Sequence, residues 1–246
     1  MPLKRSLKLS EADASSSTHA IPDAPVEHTH AHPAFQHHFD DMEQQFEASH
    51  LGMWVFLVTE VMFFGGLFAA YTIYRTLYPD AFADTSRHMD VILGGFNTAV
   101  LIGSSLTMAL AVHAAQTNAR KLLPWFLIGT IVLGTAFLVV KAFEYTHKWH
   151  EHLVPGPYFQ YEGPYAAQAQ ILFSFYFIMT GMHAIHMIIG IGLLFYLVWQ
   201  ARRQAYSSEY FTPVEMVGLY WHFVDIVWIF LFPLLYLIGQ HSLGGH

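Results

Sequence analysis

The chain has 246 residues, 54% of them hydrophobic and only 12% charged, and a net charge of −7 with histidine neutral. That balance excludes an ordinary soluble domain, and its acidic sign gives a nucleic-acid partner no electrostatic support. The chain has no cysteine, which excludes disulfides, thiolate metal sites and a cysteine nucleophile.

Residues 1–34 are polar, rich in Ser, Pro and His, and lack apolar periodicity, so they are expected to form a disordered extension. Lys4, Arg5 and Lys8 precede no apolar run, which argues against a secretory signal peptide. His28, His30 and His32 form a run that suits a divalent metal, although a solvated tail is the default reading of such a composition. Over residues 35–49, Phe35, Phe39, Met42 and Phe46 recur at steps of four, three and four residues. Asp40, Asp41, Glu43 and Glu47 lie on the other side. The pattern predicts a short amphipathic interfacial helix. Its acidic face favours a protein partner over anionic lipid.

Five segments follow that are long enough to cross a bilayer, which takes about 20 apolar residues. They are placed near 51–74, 91–115, 123–143, 168–199 and 214–239. The expected fold is therefore an all-α membrane protein, a bundle of five transmembrane helices preceded by a polar extension. The third span is the weakest: Pro124 suits its first turn and Lys141 lies near its far end. The fourth exceeds the bilayer and is expected to tilt or project. Gly65–Gly66 and Gly94–Gly95 read as sites of close helix packing. With the N-terminus inside, the inner side holds Lys4, Arg5, Lys8, Arg120, Lys121, Arg202 and Arg203, and the outer side Arg75, Arg87 and Lys148. This asymmetry predicts a cytoplasmic N-terminus and an external C-terminus.

Ionisable groups inside spans are costly and mark functional candidates. Glu60 lies in the first span, His183 and His186 in the fourth, and His222 and Asp225 in the last. At 1.5 Å per residue, Glu60 lies roughly 14 Å deep and His222 and Asp225 roughly 12–17 Å. Glu60, His186, His222 and Asp225 are therefore expected to meet in one layer. A di-iron site of the bundle type needs four carboxylates and two Glu-x-x-His pairs, a set this chain does not offer. Acid and histidine chains also mark proton relays, but inverted repeats and paired broken helices are missing. The default reading is a hydrogen-bonded cluster tying helices together. Asn97, Thr98, Ser104, Ser105 and Thr107 receive the same reading, and Glu144 reads as a local ion pair with Lys141.

Five motifs in register carry a resemblance. They are MWVFLVTEVMFFGG around Glu60, NTAVLIGSSLTMALA from Asn97, GTAFLVVKAFEY through Glu144, FYFIMTGMHAIHMIIG through His183 and His186, and YWHFVDIVWIFLF through His222 and Asp225. Together the chain resembles subunit III of haem-copper respiratory oxidases, in the five-span bacterial form that lacks the first two of seven spans. The resemblance runs from about residue 42 to 239.

The resemblance implies a non-redox accessory subunit in the bacterial cytoplasmic (inner) membrane. It implies no catalytic residue and no metal in this chain, with haems and copper in partner subunits. Such a subunit packs with catalytic subunit I and subunit II, binds phospholipid, and supports proton uptake by a complex that reduces O2 to water with electrons from cytochrome c. A quinol oxidase subunit or a nitric oxide reductase-associated homologue is the alternative within the family. A membrane metalloenzyme using Glu60, His183, His186, His222 and Asp225 is the alternative outside it. By resemblance Glu60 is a buried, carbodiimide-reactive carboxyl, with His222 or His186 as its expected partner. Arg202, Arg203 and Trp54 are expected phospholipid contacts. The N-terminal extension is expected to dock on the catalytic subunit or on another respiratory complex.

Overall fold

The structure, a computed structural model, describes residues 39, 42–86, 89–207 and 210–237. The whole polar extension, residues 1–34 with the histidine run at 28–32, lies outside the described residues. Six helices are present among the described residues: α1 (Met42–Leu77), α2 (Pro79–Ser86), α3 (Val91–Gln116), α4 (Leu123–His150), α5 (Ala166–Arg202) and α6 (Thr212–Tyr236). All but α2 are long and apolar enough to cross a membrane.

The boundaries differ from the sequence expectation in three places. α1 runs unbroken from Met42, since neither Gly nor Pro interrupts residues 42–51, so the described part of the expected interfacial helix is the start of the first span helix. There Phe46 packs against His50 and against Phe211 at the head of α6. The connector after the first span contains α2, which opens with Pro79 at a position where a missing N–H costs nothing. Phe82 of α2 sits edge-on against Tyr71, and Asp84 accepts a hydrogen bond of 2.8 Å from Tyr161 in the 151–165 connector. α4 continues to His150 rather than stopping near residue 143. Its last turn carries His147, Lys148 and His150, which suit the negative end of the helix dipole.

α3, α4, α5 and α6 form a closed ring, α3 on α4, α4 on α5, α5 on α6 and α6 on α3. α1 lies against α5 and α6, and α2 against α5. The centre of the ring is filled by Trp221. A Cβ added at Gly134 on α4 would come within 2.7 Å of the indole, and one at Gly190 on α5 within 3.0 Å. Two glycines therefore admit the ring from opposite sides, and the indole N–H donates to Ser104 Oγ on α3 at 3.1 Å. The glycine expectation holds at Gly94, where an added Cβ would lie 2.7 Å from Phe232, but not at Gly65 and Gly66, which face open space.

Single polar contacts fix the remaining crossings, as expected where lipid offers no substitute partner. Tyr71 Oη donates to the carbonyl of Leu234 at 2.9 Å, satisfying one of the unpaired carbonyls at the end of α6. Trp228 Nε1 donates to Thr98 Oγ1 at 3.1 Å, and Thr107 and Thr130 hydroxyls pair at 2.8 Å. Asp90 caps α3 by accepting from the Leu93 N–H.

Candidate functional site

The expected single layer divides into separate neighbourhoods. Glu60 on α1 meets His186 on α5, with Oε2 3.0 Å from Nε2. His186 Nδ1 lies 2.8 Å from the Met182 carbonyl one turn earlier. A carbonyl only accepts, so Nδ1 carries a proton. The Nε2–Oε2 bond then holds one further proton, on either the imidazole or the carboxyl. Glu60 and His186 are thus a proton-sharing pair, and Glu60 retains 20% side-chain exposure at the α1–α5 junction. Of the two expected partners for Glu60, the structure selects His186. Tyr220 of α6 donates to the His186 carbonyl at 2.9 Å and holds that turn in place.

His183, one step away on the same helix, points elsewhere. Residues three apart differ by about 60° around the helix axis, and here that angle separates two environments. His183 is buried, edge-on to Phe137 and tilted over Trp228, and neither ring nitrogen has a hydrogen-bond partner.

His222 and Asp225 face α3. His222 Nδ1 is 2.7 Å from Ser105 Oγ. Asp225 is buried, with Ser104 and Ser105 beside it, yet neither carboxylate oxygen has a well-formed hydrogen bond. Both residues line a cavity of about 290 Å³ between α3 and α6. No hydrogen bond joins this pair to Glu60 or His186. Asn97 is buried on α3 and donates to the Phe137 carbonyl at 3.5 Å, a helix-to-helix tie.

The densest polar assembly centres on Lys141 and Glu144 of α4, which form a buried pair at 2.8 Å. The Lys141 ammonium also donates to Tyr176 Oη of α5 at 3.2 Å and Tyr236 Oη of α6 at 2.7 Å. Each tyrosine hydroxyl then donates to Glu144 Oε1, at 2.8 and 2.6 Å. All three ammonium hydrogens and both hydroxyl hydrogens are used. The rings of Tyr145, Tyr176, Trp228 and Tyr236 surround the ammonium at 5.1 to 5.6 Å, within cation–π range. Sequence reasoning found the ion pair but missed Tyr176, Tyr236 and Trp228. The one available signal was a lysine placed ahead of nine further residues of α4.

These positions decide how well the residues suit a resident metal. His183 stands among aromatic rings, His186 is engaged by Glu60, and His222 by Ser105. Among the described residues no three histidines or carboxylates converge as a ligand set. The donor arrangement does not fit a bound metal or a haem axial pair.

At the end of α5, the Arg203 guanidinium lies 3.8 Å over the Trp199 ring, and Arg202 and Arg203 are exposed. Beside them, Tyr206 stacks on Tyr210, and burial pushes both phenols above their ordinary range. Trp54 is exposed on α1.

The family description that matches residues 34–240 is that of cytochrome c oxidase subunit III. A protein of Thermostichus vulcanus named cytochrome c oxidase subunit 3 is 32% identical over 217 residues, covering 87% of this chain and 93% of the relative. The protein of the same name from Synechocystis sp. is 35% identical over 189 residues, covering 76% and 74%. A Staphylococcus haemolyticus protein named "Probable quinol oxidase subunit 3" is 28% identical over 201 residues, covering 82% and 94%. With the five spans and their motifs in register, the chain belongs to the cytochrome c oxidase subunit III family.

Proposed function

We propose that the chain is the non-catalytic subunit III of a proton-pumping terminal oxidase that reduces O2 to water, with cytochrome c as electron donor. It carries no redox centre. It braces catalytic subunit I, binds phospholipid, and supports proton uptake through the Glu60–His186 pair. The observation that carries the proton role is that pair itself. It is an acid and a base sharing one hydrogen bond at 3.0 Å, partly exposed, in a bundle whose Lys141–Glu144 pair is locked by five hydrogen bonds. A single-bond pair can release and regain a proton without dismantling a network.

Arg202, Arg203 and Trp199 suit a phospholipid headgroup at the inner surface, where cations and indole rings both favour the interface. Trp54 is a second candidate contact. The excess of Lys and Arg on one side favours insertion in the bacterial cytoplasmic membrane with the N-terminus inside. The N-terminal extension is assigned to docking on the oxidase or on a neighbouring respiratory complex.

Purification of the complex through this chain tests the reading. Subunits I and II, with haem and copper spectra and cytochrome c oxidation, are the expected result. Stoichiometric iron or zinc bound by the isolated chain would overturn it. A quinol donor is the second reading, favoured by the relatives named for quinol oxidase; reduction of the purified complex by quinol and not by cytochrome c would select it.

A further inference from the structure

The cavity between α3 and α6 sets polar side chains within an apolar surface. Its floor is Ser105, His222 and Asp225, and its walls include Ile102, Ile226 and Ile229. Asp225 is thirteen residues past Thr212 in a 25-residue helix, so at 1.5 Å per residue it lies about 20 Å along and near the middle of the bilayer. A phospholipid headgroup does not reach that depth.

The serines beside Asp225 serve it only in part, because each has another partner. The Ser104 hydroxyl donates to the Leu101 carbonyl and accepts from Trp221 Nε1. Ser105 shares its single bond with His222 Nδ1. If Nδ1 is the donor, the Ser105 proton is free to turn toward Asp225, which satisfies one oxygen and leaves the other open. A carboxyl that is 3% exposed and under-bonded costs free energy in hydrocarbon.

The apolar surface beside the cavity is shaped for a helix. Ile102 and Leu106, four apart on α3, and Ile226 and Phe230, four apart on α6, are all more than half exposed. They form two parallel ridges with the polar floor between them. A transmembrane helix laid in such a groove buries both ridges and can lower one side chain into the cavity.

We infer that the α3–α6 groove is the seat of a transmembrane helix of the catalytic subunit, which places a hydrogen-bond-donating side chain against Asp225. The inference rests on the reading of the chain as subunit III and specifies which face is used. The occupant is a protein helix because two things must be supplied together: a donor at mid-membrane depth, and an apolar surface long enough to cover both ridges. An acyl chain supplies only the second.

Photo-crosslinking in the intact complex tests this. An aliphatic diazirine amino acid replaces Ile229 or Leu106 in the groove, and Ile189 or Leu193 on α5 as controls. Groove probes are expected to form adducts with one helix of the haem-bearing subunit, and control probes to form adducts with lipid. Lipid or small-amphiphile adducts at both groove positions, in a complex that still contains the haem-bearing subunit, would overturn the inference and leave the subunit reading intact. Absence of any haem-bearing subunit would overturn that reading and the inference with it.

A second measurement addresses the carboxyl. Asp225→Val is expected to weaken retention of the catalytic subunit in mild detergent by about tenfold, the loss of one buried hydrogen bond. Asp225→Asn keeps an acceptor and is expected to lose far less. Ile229→Trp fills the groove without touching the carboxyl and is expected to reduce retention while the chain keeps its helicity. Full retention in both Asp225→Val and Ile229→Trp would refute the docking role.

Discussion

Replacing Glu144 by leucine removes the acceptor for three hydrogen bonds at once, one from Lys141 and one each from Tyr176 and Tyr236. Lys141 and Glu144 side chains are 5% and 4% exposed, so water cannot take over. Breaking a buried pair from one side costs about 3–5 kcal/mol. Each buried hydroxyl left without an acceptor costs about 1–3 kcal/mol, and these losses overlap because the groups share one network. Glu144→Leu is therefore expected to destabilise the bundle by at least about 4 kcal/mol. The double variant Lys141→Met with Glu144→Leu removes the stranded ammonium as well. It still leaves two hydroxyls under-bonded, so it is expected to cost about 2 kcal/mol and to be more stable than Glu144→Leu alone. The assay is reversible unfolding of the purified chain in mixed micelles, followed by far-ultraviolet circular dichroism across the full double-mutant cycle. A Glu144→Leu variant within about 1 kcal/mol of the parent, or a double variant equal to the sum of the singles, would refute the argument.

Gly134→Ala and Gly190→Ala each push a methyl into the Trp221 indole and should cost about 1–3 kcal/mol in the same assay. Gly65→Ala and Gly66→Ala, where nothing lies within 4 Å, should be neutral or slightly stabilising through helix propensity. Carbodiimide treatment of the intact complex should label Glu60, which is 20% exposed, in preference to Glu144; peptide mapping that finds labelled carboxyls but never Glu60 would count against its accessibility. Glu60→Gln keeps a hydrogen-bond partner for His186 and should leave stability within about 1 kcal/mol, and lower sustained turnover of the oxidase. Arg202→Ala with Arg203→Ala should reduce co-purified phospholipid by mass spectrometry, and unchanged lipid content would remove these residues as headgroup contacts.

The five spans were legible because each is a run of more than twenty apolar residues, a signal that needs no knowledge of neighbours. α2 was not, because PDAFADTS is short and polar, and only its packing under α5 and against Tyr71 makes it a helix. The polar residues were legible one by one, but their pairing was not. His183 and His186 are three residues apart on one helix, yet the 60° or so between them decides between an aromatic pocket and a carboxylate. The partner of Glu60 depends on α1 lying against α5, which no local pattern encodes. The Lys141 network was hidden for the same reason, since Tyr176 and Tyr236 lie 35 and 95 residues further along the chain.

Glu60 and Glu144 show how one residue type serves two purposes in the same bundle. Glu144 accepts from three donors on three helices, so any change in its protonation must rearrange all of them. Its value lies in fixing α4, α5 and α6 together, and a substitution there should appear as lost stability. Glu60 has a single partner whose other nitrogen is held by the Met182 carbonyl. Moving the shared proton across that bond changes the charges and leaves the scaffold in place. The position differs as well: Glu144 is enclosed by aromatic rings, whereas Glu60 reaches the junction between α1 and the ring of helices. A carboxyl that is partly accessible, bonded once and paired with a base meets the requirements of proton exchange. A carboxyl that is enclosed and bonded three times meets those of a joint. The separation predicts opposite phenotypes at two glutamates of the same membrane bundle, turnover without stability at Glu60 and stability first at Glu144. Finding the two phenotypes together at both positions would mean that the polar groups act as one coupled layer after all.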